Sequence, residues 1–193
     1  MNIAIVGATG NVGRKLLDVL DKKNFQITEL FLVASPKSAG KKIKFKNEEL
    51  IVEDLNNFDF SKVKLAFFAA GSAIAEKWAP IAAEKTIVID NSKFFRKDPQ
   101  IPLVVPEVNS KELAHVKHKN IIANANCSVI PIVVALKPLH DLYSVKRIVA
   151  STYQSVSGAG KEAMDELISQ TKDYLNDKEI NSKNFTKQIA FNA

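Results

Sequence analysis

The chain has 193 residues, a net charge of +6, 46% hydrophobic residues and 25% charged residues, as in ordinary globular proteins. Its single cysteine, Cys127, excludes a disulfide framework within the chain and indicates a reducing compartment. The N-terminus lacks the basic region of a signal peptide, and no apolar run approaches the roughly 20 residues of a membrane helix. The lysines are scattered and no nucleic-acid-binding motif is present. We therefore expect a cytoplasmic protein that binds neither membrane nor nucleic acid.

Short apolar strands alternate with amphipathic helices through the first 126 residues. Periodicity predicts strands at 2–6, 27–34, 64–69, 86–90 and 120–123, a short edge piece at 103–105, and helices at 11–22, 73–85 and 110–119. Such alternation is typical of a Rossmann-like, doubly wound parallel sheet in an α/β protein. We expect one domain over residues 1–126.

The pattern changes at Cys127. It predicts a long apolar helix at 128–142, a long strand at 144–155, a turn at Gly158 and Gly160, a helix at 163–175 and a polar loop at 176–188. An apolar segment begins at residue 189. We interpret residues 127–193 as the incomplete start of a second, α+β domain.

The first strand and first helix are joined by a glycine-rich turn. Gly7, Gly10 and Gly13 give the spacing G-x-x-G-x-x-G, which differs from the common G-x-G-x-x-G. Glycines allow a tight turn and a close approach of backbone N–H groups to a pyrophosphate, which the helix dipole also favours. In this strand–turn–helix context the pattern predicts a dinucleotide site; the alternative is a purely structural turn.

The residues after the second strand indicate which dinucleotide is bound. An NAD site places an acidic residue there for the ribose 2′-hydroxyl, whereas a 2′-phosphate requires hydroxyls and cations. The sequence has Ser35, Lys37, Ser38 and Lys41 and no acid at this point. We therefore predict NADP.

Cys127 lies between a predicted strand and a predicted helix. The amino end of a helix favours a thiolate over a thiol, and a thiolate attacks acyl groups readily. The side chain of Asn126 could donate to a developing oxyanion. The alternative is that Cys127 is a small structural residue.

Five motifs occur together in a recognisable order. They are 6–13 (VGATGNVG), 34–41 (ASPKSAGK), 90–96 (DNSKFFR), 126–128 (NCS) and 153–160 (YQSVSGAG). In this combination the chain resembles the aspartate-semialdehyde dehydrogenases over its whole length. The resemblance implies NADPH-dependent reduction of L-aspartyl 4-phosphate to L-aspartate 4-semialdehyde through a cysteine thioester. This reaction serves lysine, diaminopimelate, threonine and methionine biosynthesis.

The resemblance also implies roles for individual residues. Cys127 would form the thioester, Gln154 would position the substrate and Arg96 would hold the substrate phosphate. The pyrophosphate turn would include Thr9, Gly10, Asn11 and Val12, the 2′-phosphate loop Lys37 and Ser38, and a further turn near the cofactor Ser157 and Gly158. The second domain would be catalytic and would form a homodimer.

The sequence departs from the family in four respects. Ala125 stands where proline is usual and Val129 where threonine is common. None of the chain's three histidines matches the family's acid/base histidine. An arginine that grips the substrate carboxylate also has no counterpart. We therefore expect the 193-residue chain to be an N-terminal fragment with little turnover.

Other interpretations remain at this stage. A non-catalytic NADP-binding or sensor module would share the nucleotide fold, and an N-acetyl-glutamyl-phosphate reductase would share the chemistry. His115 and His118 have a spacing that can bind metal, but no third ligand is evident, so we predict no metal site.

Overall fold

The computed structural model of the protein describes residues 1–23 and 25–192, with 115, 117 and 118 described by their backbone alone. It divides into two compact units, the first spanning Met1–Ile148 and the second beginning at Val149. Within the described ranges, no helix combines the length and apolar character needed to span a bilayer.

The first unit is built on one eight-stranded sheet. Its strands are β1 (Ile3–Val6), β2 (Leu30–Ala34), β3 (Lys42–Phe45), β4 (Glu48–Asp54), β5 (Leu65–Phe68), β6 (Ile87–Asp90), β7 (Leu103–Val104) and β8 (Ile121–Asn124). They lie in the order β3-β4-β2-β1-β5-β6-β8-β7, and every pair is parallel except β3–β4. The predicted α/β class is therefore confirmed, with a mixed and mostly parallel sheet.

Four of the five α-helices occupy predicted stretches of sequence, and the short α3 was not predicted. They are α1 (Asn11–Lys22), α2 (Ser72–Ala83), the short α3 (Pro106–Asn109), α4 (Val129–Tyr143) and α5 (Lys161–Leu175). The predicted helix at 110–119 forms as a 3-10 helix, Ser110–His118. The last residues of α4 lead into Ser144, whose left-handed backbone (φ 52°) ends the helix.

Both faces of the sheet are covered, which explains why its central strands are apolar throughout. Ile5 of β1 packs in one buried cluster with Leu17 and Leu20 of α1. Its neighbour Val6 belongs to a second cluster with residues of α2, including Ala79. Because successive strand residues point to opposite faces, each strand supplies both clusters. Full burial of a leucine contributes roughly 2 kcal/mol, so these contacts hold the helices on the sheet.

The strand order reverses at β1. The chain passes from β1 to β2 on one side and later places β5 on the other, with Val6 level with both Val33 and Phe68. In parallel sheets of this kind, ligands bind beyond the carboxyl ends of the strands at the reversal point. The loops after β1, β2, β6 and β8 all lie at that edge.

The antiparallel hairpin β3–β4 was not predicted. Lys42 and Lys44 alternate with Ile43 and Phe45, which is the pattern of a half-exposed strand. Lys46 adopts a left-handed backbone (φ 53°) in the turn. The missed signal was this period-two alternation.

The predicted strand at 144–155 is wrong for this structure, which has no regular secondary structure there. A strand is stabilised by backbone hydrogen bonds to a neighbour, and the described residues supply no strand beside this segment. Apolar side chains of the segment are accordingly exposed, Ile148 by 55% and Tyr153 by 90%.

The second unit is organised by α5. Buried Gln170 accepts hydrogen bonds at its side-chain oxygen from the N–H groups of Ile189 (2.9 Å) and Ala190 (3.1 Å). Glu166, one turn earlier, accepts from the N–H groups of Lys183 (3.0 Å) and Asn184 (2.6 Å). These bonds tie the loop after α5 back onto the helix.

Candidate active site

The glycine turn after β1 requires glycine at two of its three positions. Gly7 has a left-handed backbone (φ 89°), and a Cβ there would lie 2.7 Å from the carbonyl oxygen of Ala69. A Cβ on Gly13 would lie 2.3 Å from the Gly7 oxygen. At Gly10 the nearest atom would be 3.4 Å away. The first glycine thus permits the turn, and the third permits α1 to pack against it.

The amino end of α1 is suited to an anion. Gly10 is its N-cap, no side chain caps the helix, and its first turn has no acidic residue. The backbone N–H groups of a first turn have no partner within the helix, so an anion can satisfy them. The turn therefore fits a dinucleotide pyrophosphate, with Thr9, Asn11 and Val12 around it.

The predicted 2′-phosphate loop lies beside this turn. Residues Pro36–Ser38 form a 3-10 turn directly after β2, and the hydroxyl of Thr9 lies 3.5 Å from that of Ser38. Ser35 and Lys37 are exposed. The structure thus brings the pyrophosphate turn and the Ser38 loop together.

One acidic residue that the sequence analysis overlooked lies near the end of β2. Asp54 of β4 is paired with Ala34. Its carboxylate accepts a hydrogen bond from the N–H of Asn56 (2.9 Å) and so caps a local turn. The Asp54 carboxylate is therefore engaged within its own loop.

Arg96 is held at the carboxyl ends of β6 and β8. Its Nε donates to the carbonyl oxygen of Asn124 (2.9 Å), and Nη2 donates to that of Asn91 (3.0 Å). The neighbouring Asp90 is fully buried and accepts from both the N–H (3.0 Å) and hydroxyl (2.6 Å) of Ser92. Burial raises the pKa of Asp90, although the Ser92 hydrogen bonds and the charge of Arg96 act in the opposite direction.

Cys127 follows β8 and is exposed immediately before α4. The backbone carbonyl of Asn126 accepts from the N–H groups of Val129 and Ile130, each at 3.0 Å. Its side-chain oxygen accepts from the N–H of Ser128 (2.9 Å) and lies 3.9 Å from the Cys127 sulfur. Asn126 therefore closes the turn that leads into α4, with the Cys127 sulfur close to its side-chain oxygen.

Three predicted site residues belong to the second unit. Gln154 is exposed, and its side-chain amide donates to the Thr152 hydroxyl at 3.4 Å. Ser157 and Gly158 lie in a 3-10 turn that Ser155 caps, with the Ser157 N–H donating to the Ser155 hydroxyl at 3.2 Å. These contacts describe the local turn within that unit.

Asp90, Asn91 and Asn124 were not among the predicted site residues. All three follow or end strands at the ligand-binding edge, and that position is the signal that could have singled them out. In the described part of the chain, no group of three or more His, Cys, Asp and Glu side chains is arranged to hold a metal ion. The side chains of His115 and His118 lie outside that part.

The fold and the glycine turn define a dinucleotide-binding α/β protein with an exposed cysteine at the same sheet edge. The family model "Semialdehyde dehydrogenase, NAD binding domain" matches residues 2–116, and "Semialdehyde dehydrogenase, dimerisation domain" matches residues 136–193. The chain belongs to this family. The relatives that it matches at about 50% identity are aspartate-semialdehyde dehydrogenases, the family that the sequence motifs resemble.

Named relatives give the extent of the similarity. "Aspartate-semialdehyde dehydrogenase 2" of Vibrio cholerae is 50% identical over 193 residues, which are 100% of this chain and 57% of that protein. The structure of aspartate semialdehyde dehydrogenase II from V. cholerae, complexed with ASA, superposes with a TM-score of 0.94 at 50% identity, over 99% of this chain and 57% of that one. The structure of the Candida albicans aspartate semialdehyde dehydrogenase with NADP gives a TM-score of 0.57 at 26% identity. The match covers 75% of this chain and 48% of that one. The chain thus spans little more than half the length of these relatives.

Proposed function

We propose that the protein carrying this chain reduces L-aspartyl 4-phosphate to L-aspartate 4-semialdehyde with NADPH, releasing phosphate, in lysine, diaminopimelate, threonine and methionine biosynthesis. The observation that carries the proposal is that Cys127 and the glycine turn lie at one edge of the sheet. The chain is also 50% identical to the aspartate-semialdehyde dehydrogenase 2 of V. cholerae.

The first step is acyl transfer to the cysteine. The thiolate of Cys127 attacks the acyl carbon, the bond to the phosphate oxygen breaks, and a thioester and inorganic phosphate result. Arg96 holds the departing phosphate, because its planar guanidinium suits two parallel hydrogen bonds to phosphate oxygens. The amide of Asn126 donates to the oxyanion, and Gln154 orients the acyl group.

The second step regenerates the thiol. NADPH, when bound, supplies the hydride that reduces the thioester. The carbon–sulfur bond then breaks, so that Cys127 leaves as a thiolate and the aldehyde is released. Around the nucleotide, Gly7 permits the turn, Gly13 lets α1 pack against it, and the helix end at Gly10 receives the pyrophosphate.

NADP is preferred to NAD in this proposal. Ser35, Lys37 and Ser38 offer hydroxyls and a cation after β2, and Asp54 is engaged in capping its own turn. The C. albicans relative described with NADP supports the same choice.

We further propose a division of labour along the chain. Residues 1–126 bind the nucleotide, and residues 127–193 begin the catalytic and dimerisation part of a homodimer, as the match at 136–193 supports. Because no histidine here matches the family's acid/base residue, we expect the 193-residue polypeptide alone to turn over little.

The test is an assay of phosphate-dependent NADP reduction with aspartate semialdehyde, on the intact protein and on the 193-residue polypeptide. We expect activity in the intact protein and its loss in Cys127→Ala. Activity with the N-acetyl-glutamyl substrate instead would identify the protein as an N-acetyl-glutamyl-phosphate reductase. NADP binding without any turnover would identify a non-catalytic module.

A further inference from the structure

The Arg96 guanidinium is oriented by two backbone carbonyls rather than by an acidic side chain. These carbonyls belong to Asn91 and Asn124, at 3.0 Å and 2.9 Å from Nη2 and Nε. Asn91 directly follows β6 and Asn124 ends the neighbouring β8. One residue earlier on each strand, Asp90 is paired with Ala123. The orientation of Arg96 therefore depends on the distance between two strand ends.

The side chains of the same two residues join those strand ends. The Asn124 amide Nδ2 donates to the Asn91 Oδ1 at 2.6 Å, and the contact is partly buried. Asn91 is fixed in turn by its backbone N–H, which donates to the carbonyl of Phe68 on β5 at 3.0 Å. Asn91 and Asn124 are thus hydrogen-bonded to each other through their side chains and to Arg96 through their backbone carbonyls.

We propose that Asn91 and Asn124 are positioning residues that set the Arg96 guanidinium for the phosphoryl group of the substrate. The inference rests on the proposed function, because it assigns Arg96 to the phosphate. An arginine has five N–H donors, and the two carbonyl bonds use two of them, so the remaining donors can bind phosphate oxygens. A bidentate contact tolerates only about 0.5 Å and 10–20° of misplacement, so loss of the amide pair weakens phosphate binding selectively.

The first test is Asn124→Leu in the intact protein, assayed in the direction that consumes phosphate. This variant keeps the backbone carbonyl that receives Nε and removes only the amide. We expect the KM for phosphate to rise on the order of tenfold, the magnitude typical of residues that orient a ligand-binding group. The KM for NADP and kcat at saturating phosphate should change by less than about twofold, because neither involves phosphate binding. Asn91→Ala removes the other half of the pair and should give the same result, including where Asn124→Leu does not fold.

A double-mutant cycle separates positioning from general stability. In an Arg96→Ala background, Asn124→Leu should cause no further rise in the KM for phosphate, because its effect acts through Arg96. Asn120→Gly is the matched control: it removes a similar amide bond, to the Ala83 carbonyl at 2.9 Å, at the opposite end of β8, and glycine accepts its φ of 53°. This control should leave the KM for phosphate unchanged.

The outcomes are distinguishable. If the wild-type protein has no phosphate-dependent activity, the proposed function fails. If the wild type is active and Arg96→Ala raises the KM for phosphate while Asn124→Leu and Asn91→Ala do not, the positioning proposal is overturned and the function stands. Equal effects of Asn124→Leu with and without Arg96 would also overturn it.

Discussion

Gly13 of α1 packs directly on the Gly7 carbonyl, where a Cβ would come within 2.3 Å of the oxygen. Backbone cannot move aside as a flexible side chain can, so Gly13→Ala must displace α1 from the sheet. We expect a loss of roughly 2 kcal/mol or more in unfolding free energy. Gly10→Ala, whose Cβ would lie 3.4 Å from the same oxygen, should cost less. Thermal unfolding of both variants measures the difference, and equal melting temperatures would contradict this packing.

Replacing Cys127 should remove turnover without unfolding the protein. The side chain is exposed, and changes at exposed positions usually alter stability by less than about 0.5 kcal/mol. Cys127→Ser should therefore keep its melting temperature and its affinity for NADP but lose phosphate-dependent NADP reduction. Unchanged activity in this variant would remove the cysteine from the mechanism.

Lys37 should decide the preference for NADP over NAD. Lys37→Ala removes a cation from the predicted 2′-phosphate loop, and we expect the KM for NADP to rise about tenfold, since charged hydrogen bonds contribute about 1.5–3 kcal/mol. The KM for NAD should not change. Lys44→Ala, at an exposed lysine of β3, is the matched control. Equal effects of the two substitutions would indicate a general charge effect instead.

The loop after α5 should loosen in acid. Burial raises the pKa of Glu166, but hydrogen bonds from Asn184 and Lys183 outweigh it, so the pKa lies below its ordinary value of 4.5. A lowered pKa means that the stabilisation is present above pH 4.5 and is lost as the pH falls through the lower value. Hydrogen exchange at the N–H groups of Lys183 and Asn184 should therefore quicken in that acidic range. In Glu166→Gln this acceleration of exchange at acidic pH should be absent. If the acceleration persists in the variant, a group other than Glu166 causes it.

The sequence predicted the central strands and the helices because burial on both faces leaves a strong periodic signal. It missed β3–β4, because the period-two alternation of Lys and apolar residues at 42–45 was not recognised as a strand pattern. It placed a strand at 144–155, but pairing depends on a neighbouring strand that the local pattern does not reveal. For the site, the motifs identified Cys127 and the glycine turn. The contact between Asn91 and Asn124 could not be predicted, because it requires the register of β6 against β8.

The two borders of the sheet also bear on association between molecules. The outer strand β3 presents exposed Lys42 and Lys44, and a foreign strand pairing there would bring these charges against its own surface. The opposite border is β7, only two residues long and flanked by Pro102 and Pro106. A strand so short has few backbone groups to which a strand of another molecule could hydrogen-bond, and proline has no N–H to donate. Both borders of the sheet thus carry features that disfavour pairing with a strand of another molecule.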